Sequence, residues 1–127
     1  MAAEKLTTDW SVEEVPNTDS LYKRVHRKLF KADGTVMTGA FNHFEMSVDW
    51  SKYSTPLETR KRSGNPLENA VARLSVAEVR NISGQAVKHS PDREQRNRAH
   101  SLVIGKKTEE ARVKLRRVAE LILPLTT

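Results

Sequence analysis

The stretch Phe44-Glu45-Met46-Ser47-Val48-Asp49-Trp50 decides the reading of this chain, because large apolar residues alternate with polar ones along its whole length. Successive side chains of a strand point to opposite faces of a sheet, so strict alternation predicts a strand with one apolar and one polar face. Phe44, Met46, Val48 and Trp50 fall on the apolar face, and Glu45, Ser47 and Asp49 on the polar one. Upstream, residues 21–32 and 35–41 flank Asp33-Gly34, a pair that favours the turn of a hairpin. Leu21, Val25 and Leu29 also fit one helical face, but a strand is the preferred reading. The segment Lys23-Arg24-Val25-His26-Arg27-Lys28 puts basic side chains on both faces of that strand. A strand buried on both faces would not accept them, so it is expected at a sheet edge or half exposed.

Downstream, Thr55-Pro56-Leu57-Glu58 predicts the start of a short helix ending near Ser63-Gly64. Thr can cap, Pro suits the first helical position, and Glu three residues on completes a capping box. Residues 71–74 read as a strand, Ser75-Val76-Ala77-Glu78 repeats the capping pattern, and Gly84 closes that turn. A strand is expected over 86–89, a polar loop over 90–98, and a buried strand over 99–104 that stops at Gly105. The last helix is expected from about Thr108 to about Leu123, since Ala111, Leu115, Val118, Ala119 and Ile122 share one face. Arg112, Lys114, Arg116 and Arg117 lie largely off that face. Interspersed strands and helices give an α+β fold: a small antiparallel or mixed sheet with short helices and a C-terminal amphipathic helix. A length of 127 residues suits a single domain with one core.

The net charge of +6 conceals a division. Residues 1–20 hold Lys5 against Glu4, Asp9, Glu13, Glu14 and Asp19, leaving four net negative charges. The domain over 21–127 sets 21 Lys and Arg against 11 acids, leaving ten net positive charges. The acidic arm reads either as a flexible tail or as a segment lying across its own basic face in competition with a polyanion. The excess positive charge points to nucleic acid, RNA or DNA, or to another polyanion. A protein partner in a larger assembly fits the same charge.

Cysteine is absent, which excludes disulfides, thiolate zinc sites and cysteine nucleophiles. No apolar run approaches the ~20 residues that span a bilayer, and Met1–Trp10 lacks the order of a secretion signal, so a cytoplasmic protein off the membrane is expected. The five glycines are dispersed and form no nucleotide-binding loop, and there is no serine elbow.

The stretch from Lys88 to Ser101 holds His89 at the end of one predicted strand and His100 at the start of the next. Neighbouring strands would bring both imidazoles to one edge of the sheet, as a general acid and base for a metal-independent ribonuclease. Arg93, Arg96 and Arg98 on the loop between them would hold a phosphate. A solvated loop whose histidines merely end strands fits the same residues. Lys23, Arg24, Arg27 and Lys28 form a second phosphate-binding candidate, and Lys106 and Lys107 before the last helix a third, with Arg60-Lys61-Arg62 adding to the charge. Tyr22, Phe41, Trp50 and Tyr53 offer stacking surfaces or core. His26, His43, His89 and His100 lack ligand spacing, so neither a metal nor any other cofactor is expected.

The order Leu-Tyr-Lys-Arg, Ala-Phe, Met-Ser-Val-Asp-Trp, His89-Ser-Pro and Asn97-Arg-Ala-His100-Ser resembles small bacterial proteins of unknown function, over residues 21 to about 107. The chain is also similar, more faintly, to compact ADP-ribosyltransferase-like domains, in which a strand bearing Arg precedes a strand with Ser and then a short helix. That resemblance implies a small enzyme acting on a phosphate-containing substrate, with Arg24 and Ser47 facing the cofactor of such domains.

Overall fold

The computed structural model describes residues 10–125. Its centre is a six-stranded antiparallel sheet in the order β4-β5-β2-β1-β3-β6. The strands are β1 (Ser20–His26), β2 (Glu45–Trp50), β3 (Asn69–Ser75), β4 (Ala86–His89), β5 (His100–Ile104) and β6 (Glu120–Leu123). Three helices interrupt them: α1 (Pro56–Lys61), α2 (Val76–Arg80) and α3 (Glu109–Val118). The α+β class is therefore observed, with every pairing antiparallel. Among the described residues no helix is long and apolar enough to cross a membrane.

The alternation in β2 sets the two faces. Met46, Val48 and Trp50 are buried together with Leu21 and Val25 of β1, Leu74 of β3 and Val103 of β5. Val76 and Val79 of α2, Ala111 and Leu115 of α3, and Ala40 and Phe41 of the 3-10 turn Thr38–Phe41 close this core from one side. Burying a Leu- or Phe-sized side chain contributes ~2 kcal/mol, so this continuous cluster dominates the stability of the domain. The opposite face is covered only in part, by α1 lying on β1, β3 and β6. Helix α1 starts as its sequence dictates: Thr55 Oγ1 accepts from Glu58 N–H and Glu58 Oε1 from Thr55 N–H, with Pro56 at the first helical position. Thr108 caps α3 in the same way by accepting from Ala111 N–H.

Two expectations need correction. The Asp33-Gly34 turn forms, with Gly34 at φ +89° and Phe30 bridging Val36, but the residues after it coil into the 3-10 turn and not into a second strand. The last helix stops at Val118, since Ala119 is extended, and residues 120–123 become an edge strand on β3. The Leu-Ile-Leu run fits a strand as well as a helix, and the open edge of β3 decides between them. The basic strand β1 takes the second of its two expected settings: it lies between β2 and β3 and not at an edge, with Lys23, Arg24 and His26 partly exposed. Among the described residues its ladder with β2 consists of Leu21–Trp50 and Tyr22–Asp49, after which the two strands part. Arg27 and Lys28 leave the strand for the 3-10 turn Arg27–Leu29.

Of the acidic arm, residues 10–19 are described and Met1–Asp9 lie outside the described residues. Val15 is buried in the core, Arg80 Nη1 donates to the carbonyl of Val15, and Asp19 Oδ2 accepts from Trp50 Nε1–H at 2.8 Å.

Candidate functional site

Where β1 and β2 separate, a cavity of about 310 Å³ opens on the partly covered face of the sheet. Lys23 and Arg24 of β1 line one lip, Ser47 and Val48 of β2 the other, and Asp49 and His100 the floor. The far wall comes from Arg62 after α1 and from Asp92, Gln95 and Asn97 of the loop between β4 and β5.

A buried carboxylate holds these walls together. Asp49 sits on the polar side of β2 yet is 3 % exposed, and it accepts three hydrogen bonds of 2.8 Å each, from Asn97 Nδ2, Thr59 Oγ1 and Arg62 Nη1. Thr59 and Arg62 belong to α1 and the residue after it and Asn97 to the 90–98 loop, so the carboxylate ties α1 and that loop to the sheet. Ser54 Oγ adds to the network by accepting from Arg62 Nη1 at 2.7 Å. A buried charge is tolerated only when paired and fully hydrogen-bonded, and Asp49 meets both conditions. The loop is itself a tight hairpin, with Asp92 and Asn97 exchanging backbone hydrogen bonds and Arg96 at φ +54°.

The cations that line the cavity stand in different states. Arg62 is committed to Asp49. Arg24 Nη1 donates to the carbonyl of Thr59 at the end of α1, where a cation is favoured, and the rest of its guanidinium fork carries further N–H donors. Lys23 is half-buried, and desolvation together with the Arg24 charge pushes its ammonium down to about 8. Of the lining carboxylates, Asp49 is neutralised by Arg62, and Asp92 Oδ1 accepts from Gln95 N–H. Positive charge is in excess.

His100 has a fixed orientation. Its Nδ1–H donates to the carbonyl of Ser90 at 2.7 Å, and Ser90 N–H donates back to the His100 carbonyl at 2.9 Å. A neutral imidazole with its proton on Nδ1 offers a lone pair on Nε2, and that atom lies 3.3 Å from Ser47 Oγ.

His89 does not join it. Ser101 pairs with His89 across β4 and β5, so these two side chains share a face, and His100, one residue earlier, projects to the other. His89 is 3 % exposed and packs edge-on against Trp50 at 5.0 Å. Its Nδ1 accepts from Glu13 N–H at 3.0 Å and its Nε2–H donates to the Arg98 carbonyl at 2.7 Å. Both ring nitrogens are occupied, so the expected pair of imidazoles on one sheet edge is not formed.

The remaining candidates scatter. Lys107 is buried, and its ammonium donates to the carbonyls of Phe44, Val103 and Gly105 at 3.1, 3.0 and 2.8 Å. It fastens the β5–α3 connection, and desolvation pushes it down to about 8. Lys106 is exposed beside it, and its carbonyl accepts from Gln85 Nε2. Arg98 lies over the Tyr53 ring at 4.3 Å and 3.6 Å from Glu13 Oε2. Arg27 pairs with Glu68, and Lys28 and Arg96 are exposed outside the cavity lining. Arg93 lines a shallower depression that shares Asp92 and His100 with the cavity, so a groove continues past His100 to the loop. Among the described residues no group of three or more His, Asp or Glu could hold a metal ion.

The structure thus brings together Lys23, Arg24 and His100 of the predicted residues, and also Ser47. Thr59 and Asn97 are the site residues that residue-by-residue reading missed, while Asp49 was read only as a polar residue of its strand and Arg62 only as part of the Arg60-Lys61-Arg62 cluster. The one available signal was Asp49 on an otherwise well-behaved strand with Arg62 downstream; Asn97 carried none. Compared with protein-family models, curated proteins and solved structures, the chain matches none of them.

Proposed function

We propose that the chain binds a phosphate-bearing polyanion, a nucleic acid strand, through the cleft between β1 and β2. The observation that carries this reading is the convergence of Lys23, Arg24 and His100 on one cavity whose main carboxylate is already neutralised by Arg62. A guanidinium suits bidentate contact with phosphate, and an ammonium acts as a point charge beside it. The groove leading past His100 towards Arg93 gives a flexible strand a route across the surface. Tyr22 on the same wall offers a ring for stacking.

Anisotropy of a fluorescent single-stranded oligonucleotide, titrated over a series of salt concentrations, tests the reading. Affinity is expected to fall linearly with salt on logarithmic axes, and Arg24→Ala is expected to weaken binding about tenfold and to reduce the slope by about one. Lys106→Ala and Lys28→Ala, outside the cavity, are expected to change affinity by less than about twofold. Absent binding, or equal losses for all three variants, would contradict the assignment.

A further inference from the structure

We infer that Ser47 and His100 form a nucleophile and general base that cleave a phosphodiester seated in the cleft. The inference takes its substrate class from the phosphate-binding reading, but the pair itself rests on separate geometry. Ser47 and Asp49 lie on the same face of β2, and Asp49 pairs with His100 across β5, so Ser47 is the diagonal neighbour of the imidazole. The Ser90 carbonyl orients the ring through Nδ1–H, which directs the Nε2 lone pair at the Ser47 hydroxyl at 3.3 Å. A nucleophile, a base within reach of it and a third group orienting the base are the three parts that activate a serine. The separation is long for an O–H···N bond and within the range that shortens when a substrate is held.

Contrast with His89 isolates what is special at His100. Both imidazoles donate one N–H to a backbone carbonyl, but the second nitrogen of His89 is consumed by the Glu13 backbone N–H, whereas that of His100 faces a hydroxyl on a cavity wall. The cations also favour phosphorus over carbon as the centre attacked. Lys23 and Arg24 line the cavity with Ser47 and would neutralise the charge that grows on the non-bridging oxygens in the transition state.

In the first step the Ser47 Oγ–H proton passes to His100 Nε2 as the Oγ–P bond forms. The P–O bond to the departing alcohol breaks, and that oxygen takes the proton back from His100, leaving a phosphodiester on Ser47. In the second step water gives a proton to His100 and its oxygen attacks phosphorus. Ser47 Oγ leaves and recovers the proton. The sum is one phosphodiester and one water converted into a phosphomonoester and an alcohol, with the protein unchanged.

Bis(p-nitrophenyl) phosphate serves as the chromogenic substrate and a fluorophosphonate as the covalent trap, with the modified residue located by peptide mass spectrometry. The wild-type chain should release p-nitrophenol and carry the label on Ser47. Ser47→Ala should abolish both, and His100→Gln should slow both by about 100-fold or more, with free imidazole restoring part of the loss to His100→Ala. Ser47→Ala should melt close to wild type and should lose less oligonucleotide affinity than Arg24→Ala, which separates failed chemistry from failed binding or folding. The pair is overturned if Ser47 stays unlabelled in a chain that binds the oligonucleotide, or if cleavage survives Ser47→Ala. Labelling of Ser47 in a chain that neither binds the oligonucleotide nor turns over the diester would overturn the phosphodiester substrate.

Discussion

His89 and His100 end and begin adjacent strands joined by one loop, yet they sit on opposite faces of the sheet and in opposite chemical circumstances. His89 is enclosed between Trp50, Tyr53 and the acidic arm, with both nitrogens hydrogen-bonded. His100 is half-exposed beside charged side chains, with Nε2 directed at the hydroxyl of Ser47. The difference teaches that a histidine's neighbours in sequence say little about its role. The parity of its position along the strand assigns the face, and what packs on that face at that point decides between core and cavity.

The most severe way to break this comparison is to remove what holds the open face together. Asp49→Ala leaves Arg62, Thr59 and Asn97 without their common acceptor in a buried site and is expected to cost ~3–5 kcal/mol, read by chemical denaturation. The cavity wall should loosen with it, so hydrogen exchange should accelerate across the 90–98 loop before it does so in β2. A cost below about 1 kcal/mol would show that the buried network does not hold the wall.

Next in size is the exchange of the two histidines themselves. His89→Ala removes two buried hydrogen bonds and the packing on Trp50, and is expected to lower stability by ~2–3 kcal/mol. His100→Ala gives up one short and one long hydrogen bond at a partly exposed position and is expected to cost ~1 kcal/mol. Equal losses in paired melting curves would erase the distinction between the two faces.

A smaller effect sharpens the account of the cleft. The Lys23 ammonium is charged below about 8 and neutral above it, so anion affinity should fall as pH rises through that value. Raising the pH from about 7 to about 9 should weaken oligonucleotide binding by roughly five- to tenfold, in keeping with the loss of one nearby unit charge worth ~1 kcal/mol. Lys23→Met should flatten that dependence. The smallest effect concerns the arm. Lys52 and the Tyr53 hydroxyl hold the Glu13 carboxyl below its ordinary value of 4.5, so their mutual stabilisation is present above that pH and is lost as pH falls through the depressed value. Glu13→Gln should produce a small drop in Tm at neutral pH that vanishes in acid.

Much of the fold was legible because the signals were local. The alternation of β2 and the caps at Thr55 and Ser75 each depend on residues within one turn or one strand of each other. What failed depends on distant neighbours. Residues 120–123 fit a helix by spacing and a strand by composition, and the vacant edge of β3 settled the matter. Lys107 looked like a phosphate ligand because the three carbonyls that surround its ammonium, two of them from β5 and the turn after it and the third from Phe44, carry no mark in sequence. Lys23 and Arg24 were correctly marked as ill-suited to a buried strand, and of the two settings expected for it the half-exposed one holds: the strand is central, and its ladder with β2 parts beside them. Asp49 is the counterpart for the site, since its three donors come from α1, from the residue after it and from a loop far along the chain.

The central claim is that the cleft between β1 and β2, and not the basic surface at large, receives the phosphate. Titration of a 5′-phosphorylated single-stranded oligonucleotide into isotopically labelled protein, followed by chemical-shift mapping, tests it directly. Shifts should concentrate at Lys23, Arg24, Ser47, Gln95 and the His100 imidazole, while the His89 imidazole stays unmoved. Shifts spread over Lys28, Lys88, Lys106 and Arg117, with the cleft silent, would contradict the account.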